Sequence, residues 1–81
     1  MPYFVYILKC KDNTLYTGIA TDVQRRLIEH NQTDKGAKYT RVRRPVELVY
    51  TEEQEDRSSA CKREYAIKQL KREEKLRLIN A

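Results

Sequence analysis

The chain reads as a small α/β (α+β) domain: a three-stranded sheet, antiparallel or mixed, flanked by three helices in the order β-β-α-β-α-α. Three observations predict this. Tyr3-Phe4-Val5-Tyr6-Ile7-Leu8 is β-branched and aromatic without alternation, the pattern of a strand buried on both faces. Two later stretches, around Val23 and Leu27 and around Ala60 and Ile67, carry apolar residues at helical spacing. A length of 81 residues supports one modest core and no second, so residues 1–81 form a single domain.

Taken in order, Tyr3 to Leu8 is the central strand. Lys11-Asp12-Asn13 is turn material, and Leu15-Tyr16-Thr17 returns antiparallel, ended by Gly18. Asn tolerates the left-handed conformation that a three-residue hairpin wants at its last position. Such a loop pairs Cys10 with Thr14, Leu8 with Tyr16 and Tyr6 with Gly18, so Tyr6 and Tyr16 share a face; a bulge would upset that register.

Thr21 with Gln24 three residues later is a capping-box pattern, and a helix is expected from Asp22. Val23 and Leu27 define its inward stripe. At about 100° per residue, His30 lies roughly 20° and Arg26 roughly 60° from Val23, on the side away from Leu27. Both polar groups sit on or beside the buried face. Two readings are open: a histidine favourable to the helix dipole with a snorkelling arginine, or a site that needs a cation and a proton carrier.

Asn31 to Arg44 reads as a loop holding Lys35, Lys38, Arg41, Arg43 and Arg44, with Tyr39 among them and no acid between Lys35 and Arg44. A solvated cationic loop is one reading; the single sign and the interleaved aromatic favour phosphate contacts. Val46 to Tyr50 is the third strand, at an edge. The acidic residues Glu52, Glu53, Glu55 and Asp56 follow, which places a phosphate backbone on the other side of the sheet. Asp56 caps a helix from about Arg57 to Leu70, where Glu64 falls roughly 40° from Ala60, within the stripe that packs on the sheet. A carboxylate there needs a cation: Lys68 four residues on, a divalent metal, or an arginine from the facing helix. Glu73 to Ile79 is a last short helix without a good cap, so it and the preceding helix are open to running together.

Composition bounds the function. Seventeen Lys and Arg against twelve Asp and Glu leave a net charge of +5, which suits an anionic partner. Cys10 and Cys61 have neither metal-ligand spacing nor disulfide-scaffold density and read as free thiols. The apolar run at Tyr3 to Leu8 is too short for a membrane span or a signal-peptide core, so a cytoplasmic protein without membrane attachment is expected.

Tyr6, Tyr16, Arg26, His30 and Glu64 thus converge, by spacing, on one side of a small sheet beside a basic loop. The ordered set resembles the GIY-YIG nuclease domain over essentially the whole chain, most of all its small stand-alone bacterial members. Phe4-Val5-Tyr6 stands where Gly-Ile-Tyr is usual and Tyr16-Thr17-Gly18 where Tyr-Ile-Gly is usual. Arg26 follows that glycine by eight residues, as the family's catalytic arginine does, His30 stands at the spacing of its histidine, and Glu64 matches its metal-binding glutamate. The resemblance implies metal-dependent hydrolysis of phosphodiester bonds in DNA or RNA, in repair or processing. It makes Tyr6 the general base with His30 as its relay, Tyr16 a second phenol orienting nucleophile or phosphate, Arg26 a charge stabiliser, and Glu64 the ligand of one Mg²⁺ or Mn²⁺. Lys35, Lys38, Tyr39, Arg41, Arg43 and Arg44 would bind the nucleic acid, DNA in preference to RNA.

The chain departs from the family pattern at Phe4 and Thr17, which touch strand packing. A further departure is Leu76, where related repair nucleases carry an asparagine. A separate DNA-binding domain, common in the family, is not encoded here, so a protein partner or a homodimer enters the expectation. The alternative is a nucleic-acid-binding module or repair-complex subunit that keeps the fold and cleaves little.

Overall fold

The computed structural model describes residues 1–33 and 35–81. Strand β1 (Tyr3–Lys9) lies at the centre of a fully antiparallel sheet, between β2 (Leu15–Ala20) and β3 (Glu47–Gln54). Its burial follows from that place: Val5, Tyr6, Ile7 and Leu8 are all covered because helices lie on both faces. On one face, Tyr6, Leu8 and Cys10 pack with Val46 and with Val23 and Leu27 of α1 (Val23–Gln32). On the other, Val5 and Ile7 pack against Ala60 and Ile67 of α3 (Arg57–Lys68) and Leu78 and Ile79 of α4 (Arg72–Ile79).

The β1–β2 register is the expected one, with Leu8 opposite Tyr16 and Tyr6 opposite Gly18. Cys10 N–H donates to Thr14 O and Asn13 N–H to Cys10 O, both at 2.9 Å, and Asn13 takes φ 68°, which closes the three-residue loop. A register shift does occur, but on the other side of β1. Ile7 faces Tyr50 and Leu8 faces Leu48, so Val49 is the extra residue. Leu48 thereby joins the α1 face while Val49 and Tyr50 both serve the α3 face.

Three boundaries differ from the sequence reading, and one that it left open is resolved. The side chain capping α1 is that of Asp22, whose Oδ1 accepts the Arg25 N–H at 3.0 Å, one residue beyond the Thr21 expected. A carboxylate there also meets the positive end of the helix dipole. The stretch read as a loop from Asn31 begins with two residues still helical and contains a short fourth helix, α2 (Lys38–Arg41), closed by Thr40 and Arg41 N–H groups on Ala37 O. Strand β3 runs on to Gln54, because Glu52 gains partners in Tyr50 Oη, Gln54 Nε2 and Arg63 Nε at 2.6, 2.7 and 2.8 Å. Helices α3 and α4 are separate, the second begun by Lys71 N–H donating to the Glu74 carboxylate at 3.0 Å.

Ile67 is fully buried between the sheet and α4, whereas Cys61 on the same helix is exposed. Ile67→Ala is expected to cost about 2–5 kcal/mol, read as a lower urea midpoint at unchanged slope, and Cys61→Ala to stay within about 0.5 kcal/mol.

Candidate active site

Tyr6 organises the site because its ring passes over Gly18 on β2. A Cβ at residue 18 would lie 2.6 Å from Tyr6 Oη and 2.7 Å from its Cζ, so a side chain there would evict the phenol. Beneath this cover the phenol is 1% exposed, and its oxygen lies 2.9 Å from His30 Nε2. His30, in the last turn of α1, is completely buried. Its Nδ1 lies 2.7 Å from Thr40 Oγ1, also completely buried, and 3.3 Å from the Ala37 backbone nitrogen. Gly36 lets the chain close over the histidine: a Cβ there would stand 2.7 Å from His30 Cα.

Tyr16 reaches the same histidine from β2, its ring edge-on at 5.2 Å between centroids. Its other side carries the basic segment. Tyr39 stacks on Tyr16 at 6.0 Å and 27°, and the Arg43 guanidinium lies 3.9 Å above the Tyr39 ring. Arg43 is held flat there by Asp12 Oδ2 and Tyr39 O, which accept from its Nε and Nη1 at 3.1 and 2.9 Å. The two phenols and the basic segment therefore form one continuous column from buried core to solvent.

Arg26 is part-buried beside the pair. Its Nη1 donates to Glu29 Oε1 at 3.1 Å and to Lys35 O at 2.6 Å. With Ile19, Ala20, Thr21, Asp22, Arg25 and Glu29 it lines a polar cleft of about 280 Å³. Burial, and secondarily the Tyr16 phenol, push Tyr6 up to about 12, against which the Arg26 guanidinium pulls down. Burial and the Arg26 charge push His30 down to about 4, so at neutral pH the imidazole is uncharged.

Glu64 comes from the other face of the sheet. The expectation that all five residues lie on one side is corrected: α1 packs on the Tyr6 face and α3 on the Val5 face. The halves meet along β2, the edge strand that both helices touch, and the Glu64 charge is felt at the Tyr6 phenol, which it raises. Glu64 is part-buried and pairs with Lys68 Nζ at 3.5 Å, the local partner the sequence offered. Among the described residues no three His, Cys, Asp or Glu side chains gather into a protein cage for a metal. A single part-buried carboxylate fits a hard Mg²⁺ or Mn²⁺ ion that keeps most of its shell as water and phosphate oxygen, and does not fit a dehydrated site.

The basic residues divide by task. Lys35, Lys38 and Arg41 are exposed. Arg44 instead caps α1, its Nε donating to His30 O at 2.6 Å and its Nη2 to Thr33 O. The acidic run is separated from this segment along the strands. Gln54 of β3 pairs with Tyr3 at one end of β1, while the basic segment is tied to the hairpin at the other, where Lys11 N–H donates to Arg43 O at 3.0 Å. Sequence reasoning missed Thr40, Glu29, Asp12 and Gly36 as parts of the site, and gave Gly18 a place in the motif without its contact with the Tyr6 ring. The signal available was that the chain has two glycines, and that they stand at positions 18 and 36 beside the phenols and the histidine.

Because His30 is the chain's one histidine, its titration is directly readable by NMR. The ring is expected to protonate near pH 4 and to remain neutral where an ordinary histidine, at 6.5, has begun to charge. The folded value lies below the unfolded one, so the unfolded chain binds the extra proton first. Stability from this group is complete above about pH 6.5 and is lost as pH falls through 4, by roughly 3 kcal/mol in all.

The family model described as the GIY-YIG catalytic domain matches residues 2–77. The chain is 61% identical over 79 residues to UPF0213 protein DP2720 of Desulfotalea psychrophila, covering 98% of this chain and 72% of that protein. It is 54% identical to UPF0213 protein SSP2268 of Staphylococcus saprophyticus, covering 96% and 94%. Among solved structures it resembles the solution NMR structures of UPF0213 protein BH0048 from Bacillus halodurans (TM-score 0.63, 46% identity, 99% and 84% covered) and of protein EF2693 from E. faecalis (TM-score 0.67, 44% identity, the same coverage). With a family match across nearly its whole length, and with Tyr6, Gly18, Arg26 and His30 drawn together as described, the chain belongs to the GIY-YIG family.

Proposed function

We propose that this protein is a metal-dependent endonuclease that hydrolyses phosphodiester bonds in DNA, with RNA as the second substrate class, in nucleic-acid repair or processing. The observation that carries the reading is the buried Tyr6–His30 pair opening toward Arg26 and within the field of the part-buried Glu64 carboxylate from the opposite helix. A surface that only binds phosphate gains nothing from a carboxylate there.

In this reading Tyr6 takes the proton from the attacking water, Arg26 offsets charge on the phosphate, and Tyr16 orients nucleophile or phosphate. His30 fixes the phenol. Glu64 would hold one Mg²⁺ or Mn²⁺, which supplies positive charge against the scissile phosphate when bound. Lys35, Lys38, Arg41 and Arg43 meet the backbone, and Tyr39 supports the Arg43 guanidinium from beneath. The resting phenol is far from active: with its value raised to about 12, deprotonation at pH 7 costs about 7 kcal/mol. Arg26 and the bound cation work against that cost, and Lys68 must release Glu64 before a cation can use it.

The paired Glu64 and the raised Tyr6 also favour a second reading, a nucleic-acid-binding module or repair-complex subunit that cleaves little by itself. Cleavage of single-stranded, duplex, branched and flapped DNA, with matching RNA, in Mg²⁺ or Mn²⁺ separates the two. The nuclease reading expects metal-dependent cutting that Glu64→Ala and Arg26→Ala each lower by about 10²-fold or more with the fold retained. Salt-sensitive binding without cutting on every substrate supports the binder. If the Tyr6 phenolate is the base, the rate also rises about tenfold per pH unit between pH 6 and 8.

A further inference from the structure

The polar atoms around His30 fix more than its position. A neutral imidazole offers one N–H and one lone pair. Its Nδ1 faces Thr40 Oγ1 at 2.7 Å and the backbone N–H of Ala37 at 3.3 Å. That N–H cannot rotate away. A proton on Nδ1 would aim one donor at another and leave a backbone donor unmatched. Thr40 Oγ1 also lies 2.9 Å from Ala37 O, but that carbonyl already accepts the N–H groups of Thr40 and Arg41 at 3.1 Å each. The hydroxyl proton of Thr40 can go to that carbonyl or to Nδ1; the fixed Ala37 N–H leaves Nδ1 bare, and the 2.7 Å contact then draws the Thr40 proton to the ring. With Nδ1 accepting, the ring proton sits on Nε2, 2.9 Å from Tyr6 Oη. The phenol's own proton, on a rotatable hydroxyl, then turns away from the ring, a cost this tautomer carries in the resting state and loses once the phenol is ionised.

We propose that Thr40 is a positioning residue for the cleavage reaction: with the Ala37 N–H it holds His30 as the Nε2–H tautomer, so that His30 donates to Tyr6 and does not receive its proton. The reaction role rests on the nuclease reading; the tautomer does not. It reverses the relay expected from the sequence, in which His30 accepts from the phenol. A donor aimed at Tyr6 Oη steadies a phenolate and leaves its remaining lone pairs for a water. Thr40 itself is completely buried, so it acts through His30 alone. The same short helix sets both phenols, because Tyr39, stacked on Tyr16, is the residue before Thr40.

The test reads the ring first. Imidazole nitrogen NMR on the ¹⁵N-labelled protein at pH 7 is expected to show Nε2 protonated and Nδ1 bare in the wild type. Thr40→Val is expected to populate the other tautomer and to lower kcat about tenfold with KM within twofold. Thr40→Ser, which keeps the hydroxyl, should restore both. A wild-type ring protonated on Nδ1 would overturn the proposal even if Thr40→Val fails to fold, and so would a folded Thr40→Val with the wild-type ring spectrum and kcat. A wild type that shows the Nε2–H ring but cuts no substrate would overturn the nuclease reading and leave the tautomer standing.

Discussion

The close passage of the Tyr6 ring over Gly18 is the constraint on which the rest of the site depends. It requires a glycine on the neighbouring strand, a register that puts residue 18 opposite residue 6, and a hairpin loop of three residues to set that register. Once the phenol lies flat on the backbone, its oxygen can meet a histidine arriving from α1 at 2.9 Å. The histidine must then be buried, and a buried imidazole needs partners at both nitrogens. Tyr6 meets Nε2, and Thr40 and Ala37 meet Nδ1 from a segment that Gly36 allows to come close. One steric fact in the sheet thus dictates the conformation of a stretch twenty residues further along the chain.

The sheet keeps the chemistry in two halves. Both phenols, Arg26 and His30 belong to the α1 face, while Glu64 is rooted in the helix that covers the opposite face. Their meeting line is β2, an edge strand with no neighbour beyond it. An edge is where side chains from two faces can approach one ligand, and where a phosphate backbone can lie without displacing core. The charge distribution agrees. The basic segment is tied to the hairpin by Arg43 and Asp12, and the acidic run begins at Glu52, opposite Val5, about 13 Å along the strand from Lys9.

Much of this was legible in the residues. The unalternating run of Tyr3 to Leu8 gave away a doubly covered strand, and the Lys11-Asp12-Asn13 turn fixed a register that the structure reproduces pair by pair. Periodicity placed Arg26 and His30 on or beside the buried stripe, where they stand. The errors have physical causes. Helical angles report position about one helix axis and are silent on which sheet face that helix covers, so Glu64 was assigned to the wrong side. Charged residues lower the expectation of a strand, and β3 runs four residues beyond Tyr50 because Glu52 finds Tyr50 and Gln54 on its own face once the strand forms and Arg63 from α3. Thr40 carries no sequence signal, since a buried threonine and an exposed one are written alike. Arg44 read as a phosphate ligand because a helix C-terminus short of partners is invisible until the chain folds back upon it.

On the proposed reading, the two halves close on one cation site at the β2 edge. Titrating Mn²⁺ into ¹⁵N-labelled protein and mapping paramagnetic broadening tests this without requiring turnover. One site is expected, with broadening centred on Glu64 that crosses the sheet edge to Tyr6, Gly18 and Arg26. Broadening confined to the acidic run from Glu52 to Asp56, with the Tyr6 and Arg26 signals untouched, would contradict it.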